Sequence, residues 1–521
     1  MHMLRLARTG LVLARHGALD DALPQDAPAP AKLAARLIRL AAGRGRQDAD
    51  GNALAAAIET LGPSYIKLGQ FLATRADVVG QERARQLSRL QDKLPPFAQA
   101  EAIRAVEASL GGRIDDLFIA FGEPVAAASI AQVHKAQVRA GDGRVRDVAV
   151  KVLRPGIEQR FARDLDEFYF VARFADRHIA PARRLKPVAV VDTLAKSVAL
   201  EMDLRMEAAA ISEMAENVAN DAGFRVPQVD WTRSAKRVLT LDWIDGTPLS
   251  DHEALIAAGH DLKHLAQVLI QSFLRHAMRD GFFHADMHQG NLFVDAAGNI
   301  IAVDFGIMGR LGPKEQRFLA EILWGFIRRD YKRVAEVHFE AGYVPPKHHP
   351  DNFAQALRAI GEPLMDRVAE EVSMAKLLTQ LLQVTELFDM ETRPELLLLQ
   401  KTMVVVEGVA RGLDPQLDMW TAAEPAVREW IEANLGPEGR LQDAAEGAAT
   451  LGRFVGHIPG LLARAENTAE QFAAMAQQGV RLDHETVEAI ARARARRERS
   501  GRIALWIGAL ALAAIAFNLL M

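Results

Sequence analysis

Apolar positions change their period along this 521-residue chain. From Asn52 to Leu94 they recur at helical spacing, until DKLPPF interrupts them at Pro95 and Pro96. LFIAF, SIAQVHKAQV and VRDVAVKVL follow; in the last, Val148, Val150 and Val152 alternate with polar or small residues, the period of a half-buried strand. Three such runs with glycine-bearing turns predict a small antiparallel sheet. A long helical region containing LAKSVALEMDLRMEAAAISEMAENV comes next, then the strand-like RVLTLDWIDG, whose turn at Gly246 is a hinge between two lobes. Beyond it helices dominate, except in NLFVDAAGNIIAVDFG, which reads as strand, turn and strand with its turn at Asp295 to Asn299. From Pro313 to about Gln478 amphipathic helices recur without a fixed period, which argues against a solenoid.

The two ends have patterns of their own. Ile503 to Met521 carries no charge, and its helical length of about 28 Å nearly matches the roughly 30 Å of bilayer hydrocarbon. Arg492, Arg494, Arg496, Arg497, Arg499 and Arg502 precede it, the bias expected on the cytoplasmic side of a membrane helix. A single C-terminal span is therefore predicted, with the body against anionic lipid. Ala504 and Gly508 form a small-xxx-small face through which two copies could meet as a homodimer. At the other end MLRLARTGLVLARHGAL reads as a surface amphipathic helix, and residues 20 to about 50 as a linker with a helix inside it.

Composition narrows the chemistry. Hydrophobic residues make up 50% of the chain, enough for a sizeable core. With 63 basic and 67 acidic residues the net charge is -4, so no overall field recommends nucleic acid as a partner. The absence of cysteine removes disulfides, thiolate zinc sites, iron–sulfur clusters and cysteine nucleophiles together.

FFHADMHQGNLFV, residues 282–294, admits two readings. His284, Asp286 and His288 could form a metal nest, but that leaves Asn291, Asp304 and Lys151 unexplained. Alternatively Asp286 stands near the proton of a nucleophile while Asn291 and Asp304, the latter in VDFG, hold magnesium against phosphates. On that reading His284 packs and hydrogen-bonds to hold the loop. Lys151 ends the VAVK strand as a phosphate-binding lysine would, and Glu207 on a later helix is its ion-pair partner. The glycine-rich loop of ordinary kinases is missing; Pro124 to Val133 stands in its place, with Val125, Ala126, Ala127, Ala128, Ser129, Ile130, Ala131, Gln132 and Val133 as the ATP-facing residues. Alanine restricts φ, so nucleotide geometry should differ from that of ordinary kinases.

PVAAASIAQVHKA, LGPSYIKLGQFLATRADVV, LQDKLPP, EMDLRMEA, HADMHQGN, VDFGIMGRL and RPELLLLQKTMVVVEGVARGLDP resemble the UbiB/ADCK family of atypical protein-kinase-like proteins, from about Leu61 to Trp420. Lys67, Gly69 and Gln70 match its KxGQ motif, and Glu201 and Asp203 its ExD motif. The resemblance implies that the KxGQ helix lies across the cleft with both motifs facing the nucleotide. Taken on a helix, Asp203 and Glu207 share a face and Glu201 is offset. Met287 and Gln289 replace the family's usual prolines, and the hinge residue, often glutamate, is Asp242.

The expectation is an α+β, atypical two-lobed protein-kinase-like fold, helix-rich, with an N-terminal KxGQ extension and one transmembrane helix. Its segments are 1–58 amphipathic and linker, 59–112 KxGQ extension, 113–245 N-lobe, 246–435 C-lobe, 436–501 juxtamembrane and 502–521 membrane. The resemblance implies a magnesium-dependent ATPase or kinase-like protein using ATP and Mg2+ at the cytoplasmic face of the bacterial inner membrane, supporting ubiquinone (coenzyme Q) biosynthesis. Inner-membrane lipids, polyprenyl quinone precursors and other enzymes of that pathway would be its partners. A small-molecule or protein kinase and a nucleotide-binding pseudokinase scaffold are the alternatives. Direct polyprenylphenol hydroxylation lacks both a flavin-type GxGxxG and cysteines.

Overall fold

A computed structural model of the protein describes residues 2–18, 53–73, 75, 79–87, 90, 94–179, 183, 185–365, 384–385, 387–390 and 394–436. The chain divides into two compact units, Met1–Glu432 and Ala433–Met521. Of the second, only residues 433–436 are described.

Helix α1 (His2–Arg15) opens the first unit. It is docked rather than free: Val12 and Leu13 pack with Leu54, Ala55 and Ala57 of α2 (Ala53–Leu61) and with Leu87 and Leu90. Gly62 then leads into α3 (Pro63–Ala73), where the Tyr65 hydroxyl donates to Glu167 Oε2 at 3.1 Å and lies 3.0 Å from Thr9 of α1. After the proline interruption, α4 (Gln99–Leu110) covers a sheet whose first strands are β1 (Ala120–Ala127), β2 (Ala131–Arg139) and β3 (Val145–Leu153). The alternation in β3 sends Val148, Val150 and Val152 into a core with Val106, Phe118, Ala136 and Val138, and leaves Lys151 on the other face.

Three helices follow: α5 (Ile157–His178), α6 (Pro187–Glu201) and α7 (Leu204–Asn217). The short β4 (Phe224–Arg225) belongs to a second sheet, whereas β5 (Val238–Asp242) pairs antiparallel with β3 and completes the order β1-β2-β3-β5. At the hinge, the Asp242 carboxylate pairs with Arg146 and the Trp243 N–H donates to Asp147 O at 3.1 Å.

The remaining lobe is helical around two small sheets. Strand β6 (Thr247–Pro248) precedes α8 (Leu262–Arg275), which widens into a π-helical turn at His276–Asp280 and ends on Gly281 at φ 60°. Then come β7 (Phe282–His284), β8 (Leu292–Val294), β9 (Ile300–Ala302) and β10 (Met308–Arg310). The sheets run β4-β9-β8-β6 and β10-β7. Asp295 makes the turn between β8 and β9 by accepting from the N–H groups of Ala297 at 2.9 Å and Asn299 at 2.8 Å. Helices α9 (Pro313–Ile327), α10 (Tyr331–Glu340), α11 (Pro350–Met365), α12 (Pro394–Leu413) and α13 (Met419–Leu435) complete the lobe.

The span expected at Ile503–Met521, with its Ala504/Gly508 face, lies outside the described residues. Among those that are described, no helix is long and apolar enough to cross a membrane. The long apolar α12 buries a stripe including Leu399, Val406 and Ala410 within the lobe and pairs its buried Glu407 with the half-buried Arg411 at 2.7 Å. The described structure therefore supports neither the single C-terminal crossing nor the inner-membrane localisation drawn from it.

Candidate active site

The ammonium of Lys151 is the centre of the site. It donates to Glu207 Oε1 at 2.8 Å and Oε2 at 2.9 Å, and to Asp304 Oδ1 at 2.9 Å. Glu207 comes from α7, whose buried stripe is Leu204, Glu207, Ala208, Ile211 and Met214; a carboxylate set in an apolar stripe must find a cation. Asp304 comes from the loop after β9 and holds a left-handed φ of 62°, a strained state for a non-glycine residue and one that concentrates at functional sites. Burial alone would lower the Lys151 pKa, but Asp304 and Glu207 outweigh it and hold the ammonium above the ordinary lysine range. Burial raises Glu207, against the pull of Lys151. Lys151 holds Asp304 well below the usual carboxylate range, and Lys67 adds to the effect.

That influence reports the position of α3: Lys67 lies near Asp304 and pairs with Glu201 at 2.7 Å. Gly69 is where α3 comes close to its neighbours, since a Cβ there would meet Leu90 and Ile58. Gln70 is half-buried on the same helix. Asp203 differs from the sequence expectation. The helix breaks at Met202, and Asp203 caps α7 by accepting from the Arg205 N–H at 3.2 Å while its carboxylate pairs with the Arg205 guanidinium at 2.6 Å. Asp203 and Glu207 therefore do not share a helical face. The ExD motif divides its work between a partner for Lys67 and an N-cap for the helix bearing Glu207.

Neutral hydrogen bonds hold the loop after β7. His284 is fully buried and burial lowers its pKa. Its Nδ1 accepts the Asp286 N–H at 3.0 Å, so Nε2 carries the proton toward Val303 O at 3.2 Å. Both ring nitrogens are committed to the backbone, which removes His284 from the metal nest. Asn291 Nδ2 donates to Asp286 O at 3.1 Å, and the Gly290 N–H donates to His288 Nδ1 at 3.1 Å. His288 Nε2 lies 3.8 Å from Asp286 Oδ2.

The alanine-rich segment is mostly strand. Val125, Ala126 and Ala127 end β1, while Ala131, Gln132 and Val133 begin β2, leaving Ala128, Ser129 and Ile130 as the turn. None of these has positive φ, so the turn is made without glycine. Arg154 braces it, donating to Ala128 O at 2.9 Å and Pro95 O at 2.9 Å. Gln132 is buried with its amide on the Phe97 backbone at 2.9 Å and 3.2 Å, a side chain committed to structure.

The donors left over are oxygens, the kind a hard cation takes. The Asn291 amide nitrogen is engaged, leaving its carbonyl oxygen, and Asp304 is half open with one oxygen on Lys151. Sequence reasoning missed Arg154 and Thr402. The first stands three residues after Lys151; the second is an isolated hydroxyl in an apolar run of α12.

An antiparallel β lobe with a lysine–glutamate pair, joined to a helical lobe that supplies Asp286, Asn291 and Asp304, defines a protein-kinase-like class. Residues 89–338 match the ABC1 atypical kinase-like domain, and residues 357–418 the UbiB helical domain. A protein of Marinobacter nauticus named "Probable protein kinase UbiB" is 39% identical over 84% of this chain and 80% of its own length. One of the same name from Azotobacter vinelandii is 40% identical over 74% and 72%. A solved structure titled as a complex of Rv3197 with erythromycin, from Mycobacterium tuberculosis, is 25% identical with a TM-score of 0.48, covering 74% of this chain and 95% of that one. The chain belongs to the UbiB family of atypical kinase-like proteins.

Proposed function

We propose that the protein binds ATP with magnesium and transfers its terminal phosphoryl group to water or a small acceptor in support of ubiquinone biosynthesis. The observation that carries this reading is the Lys151 ammonium shared by Glu207 and Asp304 at 2.8 and 2.9 Å. In that role Glu207 orients Lys151, which holds the α- and β-phosphates. Asn291 and Asp304 hold magnesium, which neutralises charge on the phosphates. Asp286 orients or deprotonates the attacking group. The Lys67–Glu201 pair keeps α3 close to Asp304, which favours a small acceptor over a folded protein. Polyprenyl quinone precursors are the proposed beneficiaries, made accessible to the enzymes that modify them.

The test is magnesium-dependent ATP binding and hydrolysis by the purified full chain in detergent, with and without a phenolic quinone-precursor analogue. Asp286→Asn should bind ATP without turnover, and Asp304→Asn should lose magnesium-dependent binding. No magnesium-dependent binding by the wild type overturns the reading. Binding without turnover points to the scaffold alternative, and stoichiometric labelling of a protein to a protein kinase.

A further inference from the structure

The stretch that matches the UbiB helical domain, residues 357–418, meets the loop that carries Asp286 through a buried hydroxyl. Thr402 is fully buried on α12, and its Oγ1 donates a shared hydrogen to Leu398 O at 2.8 Å and Ala285 O at 3.1 Å. The contact with Leu398 is the ordinary back-bond of a helical threonine. The contact with Ala285 spans 117 residues of sequence and ends on the carbonyl immediately before Asp286.

The Ala285 carbonyl and the Asp286 N–H belong to one planar peptide unit. His284 Nδ1 holds the N–H end of that plane at 3.0 Å, and Thr402 holds the carbonyl end. One residue earlier the Ala285 N–H donates to Ile307 O at 3.0 Å, and one plane later Asp286 O accepts from Asn291 at 3.1 Å. With both polar ends bound, the plane cannot rotate about the chain axis, so the backbone of Asp286 is fixed before a nucleotide arrives. We infer that Thr402 is a positioning residue: by bonding Ala285 O it orients the peptide plane that carries the Asp286 backbone, and thereby aims the Asp286 carboxylate. The inference rests on the phosphotransfer reading for its kinetic consequence but not for its structural one.

Thr402→Val keeps the shape of the side chain and removes the donor, leaving Ala285 O unpaired; Thr402→Ser restores the donor. In the full chain, Thr402→Val should lower kcat for ATP hydrolysis about tenfold while KM for ATP stays within about twofold, and Thr402→Ser should restore most of kcat. Independently of turnover, hydrogen exchange of the amides at Asp286 and Met287 should quicken in Thr402→Val and not in Thr402→Ser, while exchange in the β2–β3 ladder stays at wild-type rates. Wild-type exchange at Asp286 in Thr402→Val overturns the inference, as does a serine variant that behaves like the valine. If the wild type hydrolyses no ATP the phosphotransfer reading falls, and the exchange measurement still decides the role of Thr402.

Discussion

The two halves of the site are held by different forces. Lys151, Glu207 and Asp304 come from three distant parts of the chain and are joined by charge, with one ammonium between two carboxylates. Asp286 and Asn291 stand on one short loop that neutral hydrogen bonds from His284, Asn291 and Thr402 keep in shape. Buried charges are all-or-none: removing one member strands another in a low dielectric. A hydrogen-bonded loop degrades in steps, because each bond contributes about 1 kcal/mol.

The largest effect should therefore come from the charged half. Lys151→Met leaves Glu207, which is only 7% exposed, without a cation and should cost about 3 kcal/mol of stability along with nucleotide binding. Adding Glu207→Gln should recover a large part of the stability and none of the activity. Urea unfolding midpoints of the single and double variants check this; a double variant no more stable than the single would mean that the Glu207 charge is not what is stranded.

Asp304→Asn separates the two costs. Asp304 is 52% exposed and shares its cation with Glu207, so its neutralisation should leave stability nearly unchanged while lowering kcat/KM about 100-fold. A melting temperature that falls as far as that of Lys151→Met would place Asp304 in the structural frame.

The loop half should show itself in pH. Burial lowers the pKa of His284 below its ordinary value of 6.5. Below about pH 6.5 the unfolded chain takes up a proton that folded His284 refuses, so stability is lost as pH falls and is flat above that value. Burial also lowers His134 and His338, which adds slope of the same sign. His284→Gln should reduce the slope of unfolding free energy between pH 6.5 and 5.5 by up to about 1.4 kcal/mol per pH unit. An unchanged slope would mean that His284 is charged in the fold.

What the sequence revealed follows the same division. Alternation in VAVKVL predicts both the buried valines and the opposite-facing Lys151, and helical spacing predicts Glu207 on its helix, because both are periodic signals. The break at Met202 was illegible: EMDLRMEA is helix-compatible throughout, and only tertiary packing turns Asp203 into a cap. The alanine-rich segment reads as a loop by analogy with glycine-rich ones, but only Ala128, Ser129 and Ile130 form the turn, and the residues on either side belong to β1 and β2. The left-handed φ of Asp304 and the hydrogen bond from Thr402 depend on residues far apart in sequence, so no local pattern records them.

The smallest predicted effect tests an exposed contact that crosses between the halves. Arg310 stands six residues after Asp304, and Glu213 six after Glu207. The guanidinium meets both Glu213 oxygens at 2.7 and 2.5 Å and lies 4.3 Å from the ring of Phe282, on the strand leading to Asp286. By position it joins the segments that carry Glu207, Asp304 and Asp286; by environment it is weak, since Arg310 is 65% and Glu213 39% exposed and water screens such pairs. Arg310→Ala should therefore cost less than about 1 kcal/mol of stability and about twofold in kcat/KM, and both deficits should fade at high salt. A tenfold or salt-insensitive loss would show that the halves are joined at the surface. A small loss that salt erases would leave Lys151 and the buried carbonyl of Ala285 as the points at which each half is held.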